Sequence, residues 1–207
     1  MPKKLELQVE AVIRYGNIEP SPIIYTGFYR HNQNEIREYI PSKSIAIKEG
    51  LIVSSLLKGN FVSTQTVLLK RECIENVGGF DEKLKRFQDW ELWLRLANEH
   101  PFILIDKPLV NVYYSENSIS SDSSLILDAY RLIFNKHQKL LSEVKPRIAS
   151  YFLASYGHNL CLDGNLQEGR AILKSSLKLN PLSLRSLGCF AVSLLGANYV
   201  SKNLQND

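Results

Sequence analysis

The sequence predicts an α/β protein in two parts, a strand-bearing unit over residues 1–120 and an α-helical extension over 121–207. Three observations lead there. Runs rich in β-branched and aromatic residues recur through the first half. From Leu125 the apolar residues adopt helical spacing and keep it, and a Ser-rich stretch, SENSISSDSS at 115–124, separates the two patterns. A chain of 207 residues is long enough for one or two domains with a sizeable core.

In order, Pro2 suits the first turn of a helix, and Leu5, Val9, Val12 and Ile13 recur at helical spacing, so a helix is expected almost from residue 2. So abrupt a start suggests a chain that begins inside a larger design. PIIYTGFYR (22–30) and IREYI (36–40) read as strands of a hairpin around the polar HNQNE. Residues 49–58 read as a short helix ended by Gly59-Asn60, and STQTVLLK (63–70) as a partly buried strand. RECIENVGG (71–79) reads as helical turns stopped by Gly78-Gly79, since glycine supplies the left-handed geometry that ends a helix. A helix opening near Asp89 follows. Two strands, FILID (102–106) and LVNVYY (109–114), come next, separated by Lys107-Pro108.

Beyond the Ser-rich joint, Leu125, Ala129, Leu132, Ile133 and Leu140 form one apolar stripe, and Ile148, Phe152, Tyr156 and Leu160 another. LDGNLQEGRAILKSSLKLNP (162–181) has a Gly-Asn turn, an apolar-striped helix and a proline stop. Residues 149–180 thus resemble a single tetratricopeptide-type helix pair, a unit that ordinarily gains stability by stacking on others.

The composition excludes several classes. A net charge of +4 favours an anionic partner only mildly and is too dispersed to argue for nucleic acid. Cys73, Cys161 and Cys189 are odd in number and lack C-x-x-C spacing, so neither a disulfide framework nor a zinc site is expected and a reducing, cytoplasmic setting is. The apolar run at 187–200 is interrupted by polar residues and falls short of the roughly 20 needed to span a bilayer. It reads as a core helix, with a peripheral contact to a membrane surface as the alternative. His31, His100, His137 and His158 are scattered and read as surface or capping residues.

The chemistry concentrates in GGFDEKLKRFQDWELWLR (78–95), which holds both tryptophans of the chain. Asp89 falls where a helix begins, and the positive end of the helix dipole favours an ionised carboxylate there. Such a group in a cleft can take the proton of an attacking hydroxyl. Trp90 offers a flat face of the kind sugar rings stack on, and Gly78 and Gly79 permit positive φ or close backbone approach. Read structurally, the same residues are a first-turn acid and two core tryptophans. Glu91, two positions on, turns to a different face and is expected to meet solvent or to pair with Arg95. The basic Lys83, Lys85 and Arg86 read as a solvated face, with an anionic ligand as the alternative.

The run TVLLKRECIENVGGFDEKLKRFQDWELWLRLANEHPFILIDKPLVNVYYSENSIS (66–120) resembles the C-terminal half of family 2 glycosyltransferases of the GT-A fold. PKKLELQVEAV (2–12) and IIYTGFYR (23–30) resemble the segments that precede it in that family. These are inverting enzymes that move a sugar from a nucleotide sugar to an acceptor hydroxyl. The resemblance implies that Asp89 is the catalytic base, that Gly79, Phe80 and Asp81 form the turn lining the acceptor side, and that Gln88 and Trp90 also meet substrate. Arg95 corresponds to a helix arginine. Tyr113 and Ser115 stand where many members carry an arginine and a histidine. The family's nucleotide-binding half, with the Asp-x-Asp that holds Mg²⁺ or Mn²⁺, has no counterpart here, and no such triplet occurs in the sequence.

The expectation is therefore a partial GT-A sheet domain with a helical extension: a truncated or split glycosyltransferase, inactive alone, without a metal site or cofactor of its own. Mg²⁺ or Mn²⁺ belongs to the complete enzyme. Its partners would be a nucleotide sugar, a glycan or lipid-linked acceptor and a separate donor-binding chain. The alternative is a non-catalytic protein- or glycan-binding module derived from such an enzyme.

Overall fold

The computed structural model describes residues 2–32, 35–113 and 124–194. They divide into two compact units, 1–121 and 122–207. The Ser-rich joint lies almost wholly outside the described residues.

The first unit is mixed α/β. It opens with α1 (Lys4–Tyr15), whose buried residues are Gln8 and Ala11. The apolar stripe that predicts this helix faces outward instead, with Leu5 63% and Ile13 77% exposed. Gln8 is buried because its amide donates to Thr66 O at 2.9 Å, tying α1 to the strands below. A hydrogen-bonded glutamine is the kind of polar group a core accepts.

Four strands form one mixed sheet: β1 (Ile23–Asn32), β2 (Glu35–Ile40), β3 (Val67–Leu68) and β4 (Phe102–Tyr113). β4 runs parallel to β1 along one edge, while on the other β3 pairs antiparallel at Ile24 and Tyr25 and β2 antiparallel from Phe28 onward. The hairpin matches the sequence expectation. The expected strands 102–106 and 109–114 are one strand instead. Lys107-Pro108 does not end it, because the register shifts there, Thr26 pairing with Ile105 and Gly27 with Pro108. The irregularity absorbs the proline, which cannot donate to the ladder.

Two further expectations change. The helix predicted over 49–58 shrinks to α2 (Val53–Leu56), because Gly50 exchanges both backbone hydrogen bonds with Phe102 at 2.8 Å and is committed to the sheet. The strand predicted over 63–70 is a 3-10 turn at Thr64–Thr66 followed by the two residues of β3. Between lie α3 (Arg71–Asn76) and α4 (Gln88–Glu99), both where the sequence puts them. The core sits where α4 meets β1 and β4: Tyr25, Leu92, Leu94, Leu96 and Phe102 have no exposed surface, and Trp93 lies edge-on to Phe102.

The second unit is helical: α5 (Ser124–Lys136), α6 (Gln138–Glu143), α7 (Pro146–Leu162), α8 (Leu166–Leu179) and α9 (Leu184–Leu194). The predicted stripes are largely its core, with Ile133, Leu160 and Leu173 fully buried; Leu132, at 36% exposure, is the exception. α7 and α8 cross at two glycines. A Cβ added at Gly169 would stand 2.4 Å from Cys161 Sγ and 2.8 Å from Gly157 O. Alongside, the hydroxyls of Ser150, Ser176 and Ser186 bond one another inside the α7–α8–α9 packing, at 3.0 Å for the first pair and 2.8 Å for the last two.

A pair of alanine substitutions tests this crossing. Gly169→Ala is expected to destabilise the protein by about 1–2 kcal/mol, because overpacking against backbone outweighs the helix propensity that alanine gains. Gly188→Ala, in α9 with nothing within 4 Å of the new methyl, is expected to stabilise by up to about 1 kcal/mol. Urea midpoints of the two variants should move in opposite directions.

Candidate functional site

The site is built on the first turns of α4. Chain entry is strained: Phe87, preceding the helix, sits at φ 62°, a left-handed conformation that bulky residues adopt rarely and at a cost of about 1–3 kcal/mol. Its ring lies edge-on to Trp90 at 5.4 Å and under the Arg86 guanidinium at 5.0 Å, contacts that hold the conformation. No sequence signal marks this position, since nothing in an aromatic residue predicts positive φ.

Gln88 and Asp89 follow, both half-buried. The Asp89 carboxylate accepts the Trp90 backbone N–H at 2.7 Å. Burial pushes its proton affinity above the usual Asp value, and the polar groups around it, the Trp90 N–H foremost, pull it part of the way back. The outcome differs from the reading based on the helix dipole alone, in which the carboxylate is simply favoured as an anion. Asn60 and Thr64, from the segment between α2 and β3, are among the groups that lower the proton affinity, and nothing in the sequence distinguished them.

The tryptophans explain how that segment stays beside α4. Both are core residues, Trp90 at 3% and Trp93 at 1% exposure. Trp90 Nε1 donates to Leu56 O at 2.7 Å and Trp93 Nε1 to Val62 O at 2.8 Å. The Trp90 ring, expected to offer a face to a sugar, is enclosed, and it shapes the site by fixing the loop beside Asp89.

Glu91 requires correction of one of the two alternatives the sequence left. It does not meet solvent; its side chain is fully buried and pairs with Arg95, whose Nη2 lies 2.7 Å from Oε2 and whose Nε lies 2.9 Å from Oε1. Arg95 also donates to Gly79 O at 2.7 Å and to Val77 O. The ion pair therefore ties the Gly78-Gly79 turn, with φ of 82° and 73°, to the helix that carries Asp89. Only residues without a Cβ adopt two such angles in succession at little cost.

Beyond that turn, Phe80 is 45% exposed, and Asp81 is half-buried with its carboxylate accepting the Lys83 N–H at 3.1 Å. Lys83 and Lys85 are exposed, while Arg86 is engaged with Phe87. The structure thus joins Gly79 and α4 through Arg95, and places Gln88, Asp89 and Trp90 on consecutive positions of that helix.

The histidines correct part of another expectation: His100 and His137 stand at the C-cap of α4 and the N-cap of α6, as the capping reading has it, but with His31 they lie inside the fold and not on its surface. His31 is within 2.9 Å of Asn111 Oδ1 and stacks on Tyr113, and His100 Nδ1 is 2.8 Å from Ser21 O. His137, 7% exposed, precedes α6. Each imidazole is small enough to be enclosed when its nitrogens find partners.

Among the described residues no group of three or more His, Cys, Asp or Glu is placed to hold a metal ion. A divalent cation of the kind the family resemblance implies finds no ligand set among those residues. No helix among the described residues is long and apolar enough to cross a membrane. In comparisons with family models, curated proteins and solved structures, nothing matches the chain.

Proposed function

We propose that the first unit is the acceptor-side half of an inverting glycosyltransferase of the GT-A type, with Asp89 as its general base. The supporting observation is the Asp89 carboxylate itself. It is half-buried at a helix N-terminus, held by the Trp90 N–H, and raised in proton affinity. A carboxylate of raised proton affinity is a stronger base than an ordinary aspartate.

In the proposed reaction the acceptor O–H gives its proton to Asp89 as the oxygen bonds to the anomeric carbon. The bond to the nucleotide diphosphate breaks, its electrons leave with the phosphate oxygen, and the anomeric centre inverts. The acceptor side falls to Gly79, the exposed Phe80, Asp81 and Gln88, with Trp90 behind them. The nucleotide and its metal are assigned to a donor-binding segment outside these 207 residues. The second unit we read as a tetratricopeptide-like extension, on the support of the close α7–α8 crossing at Gly157 and Gly169.

Two titrations test the assignment. Saccharide acceptors are expected to shift the amide NMR signals of Phe80, Asp81 and Gln88. Calorimetry of the same chain with nucleotide sugars and Mn²⁺ is expected to show no binding at millimolar ligand. Micromolar, metal-dependent nucleotide-sugar binding would contradict the division into halves. Saccharides that leave the Asp89 region unmoved would contradict the acceptor assignment.

A further inference from the structure

An aromatic row crosses the sheet. Tyr113 of β4 stacks on His31 of β1 at 4.8 Å, and Tyr29 lies edge-on to His31 at 6.3 Å and to Tyr39 of β2 at 5.9 Å. From β2, Tyr39 reaches back over β1, and its hydroxyl donates to Asp106 Oδ1 on β4 at 2.5 Å. Gly27 makes this crossing possible, because a Cβ there would stand 2.2 Å from Tyr39 Oη. Asp106 in turn forms one wall of an open cavity of about 460 Å³, lined otherwise by Ala46, Ile47, Lys48, Glu49 and Leu104. Glu49 is fixed there as well, its Oε1 accepting the Leu104 N–H at 3.0 Å. The size is that of a small-molecule site.

The lining selects among ligands. Each carboxylate spends one oxygen on a protein donor and keeps the other, so two oriented acceptors border the cavity. Lys48 adds an ammonium, and Leu104, Ile47 and Ala46 add aliphatic surface. A phosphate would meet two anions and a single cation, and a cation would meet the ammonium. A neutral ring with hydroxyls on its edge and C–H groups on its faces suits every wall: its hydroxyls donate to the carboxylates, its oxygens accept from Lys48, and its C–H face covers the aliphatic residues. We propose that this cavity binds a neutral sugar ring, with Asp106 and Glu49 as its acceptors and Tyr39 as the positioning residue for Asp106. The inference does not rest on the reading of Asp89, which Phe80, Asp81 and Gln88 report separately.

The experiment is a ¹⁵N NMR titration of the full chain with methyl α-glucoside, with N-acetylglucosamine and, as a cationic comparison, with spermidine. The amides of Ala46, Ile47, Leu104 and Asp106 are expected to shift saturably with at least one of the two sugars, with a Kd in the millimolar range that suits a small ligand on an open site. Asp106→Asn and Glu49→Gln, both at exposed positions, are each expected to weaken binding by about fivefold to tenfold. Tyr39→Phe, which keeps the ring, is expected to weaken it less, and to add nothing once Asp106 is already asparagine, since the hydroxyl acts through that carboxylate. No saturable shift of these amides with either sugar would overturn the proposal. So would a response to spermidine alone, or sugar binding that both Asp106→Asn and Glu49→Gln leave unchanged. Movement of Phe80, Asp81 and Gln88 without the cavity amides would sink this site and leave the Asp89 reading standing; the reverse would do the opposite.

Discussion

Glu91→Ala is expected to cost about 3–5 kcal/mol of folding free energy, the range for removing one member of a buried ion pair. The carboxylate has no exposed surface, and Arg95 is only 16% exposed. Alanine leaves that guanidinium short of its anion in a place where water reaches it poorly. It also weakens the anchor of the Gly78-Gly79 turn, because the same guanidinium holds Val77 O and Gly79 O. Had the pair been on the surface, the cost would be about 0.3–0.5 kcal/mol, typical of exposed i,i+4 pairs. Chemical denaturation followed by tryptophan fluorescence separates the two values, since both tryptophans report on α4. A loss below about 1 kcal/mol would mean the pair is not structurally buried.

Much of the fold is legible in the sequence because local chemistry and tertiary packing agree there. The hairpin of β1 and β2 follows from β-branched and aromatic runs around a polar turn, and α5, α7 and α8 follow from apolar stripes that the core largely buries. α9, read as a core helix from its apolar run, leaves Leu187 and Leu194 exposed, and 195–200 lie outside the described residues. The misreadings occur where a distant partner decides. Gly50 belongs to the sheet through Phe102, far along the chain, so the predicted helix at 49–58 loses its first half. β4 continues through Pro108 because β1 accommodates the irregularity at Gly27, which no pattern within 102–114 could reveal. On α1 the periodic residues identify a helix, while the inward face is chosen by one glutamine bonding Thr66 O.

The site divides in the same way. Asp89 is visible as a first-turn acid beside an unusual pair of tryptophans, and the Gly-Gly turn is visible as a helix stop. The polar residues of the facing segment, Asn60 and Thr64 among them, are not marked out, because polar residues in a loop carry no period and their meaning depends on what the fold sets opposite. The tryptophans invite a reading as ligand platforms, yet their N–H groups are used to hold the loop. Burial of Glu91 was equally hidden, since an i,i+4 Glu–Arg spacing looks the same on a surface helix as on an enclosed one.

The central claim is that Asp89 takes the acceptor proton, and sugar transfer by the chain supplied with a donor-binding half tests it most directly. Asp89→Asn is expected to lower the transfer rate by about two to four orders of magnitude, the usual contribution of a positioned general base. Asparagine keeps an oxygen for the Trp90 N–H, so the site should keep its shape. Stability should not fall with it. A carboxyl whose folded proton affinity is raised is least costly when protonated, and its desolvation weighs on the fold as pH climbs from the ordinary aspartate range through the raised one. At neutral pH the uncharged asparagine removes that burden, so the variant is expected to melt at the wild-type temperature or above it. The measurement is therefore the transfer rate of Asp89→Asn beside its melting temperature: a rate lower by at least about a hundredfold in a protein that stays folded is the predicted result, and transfer within a few-fold of wild type would contradict it.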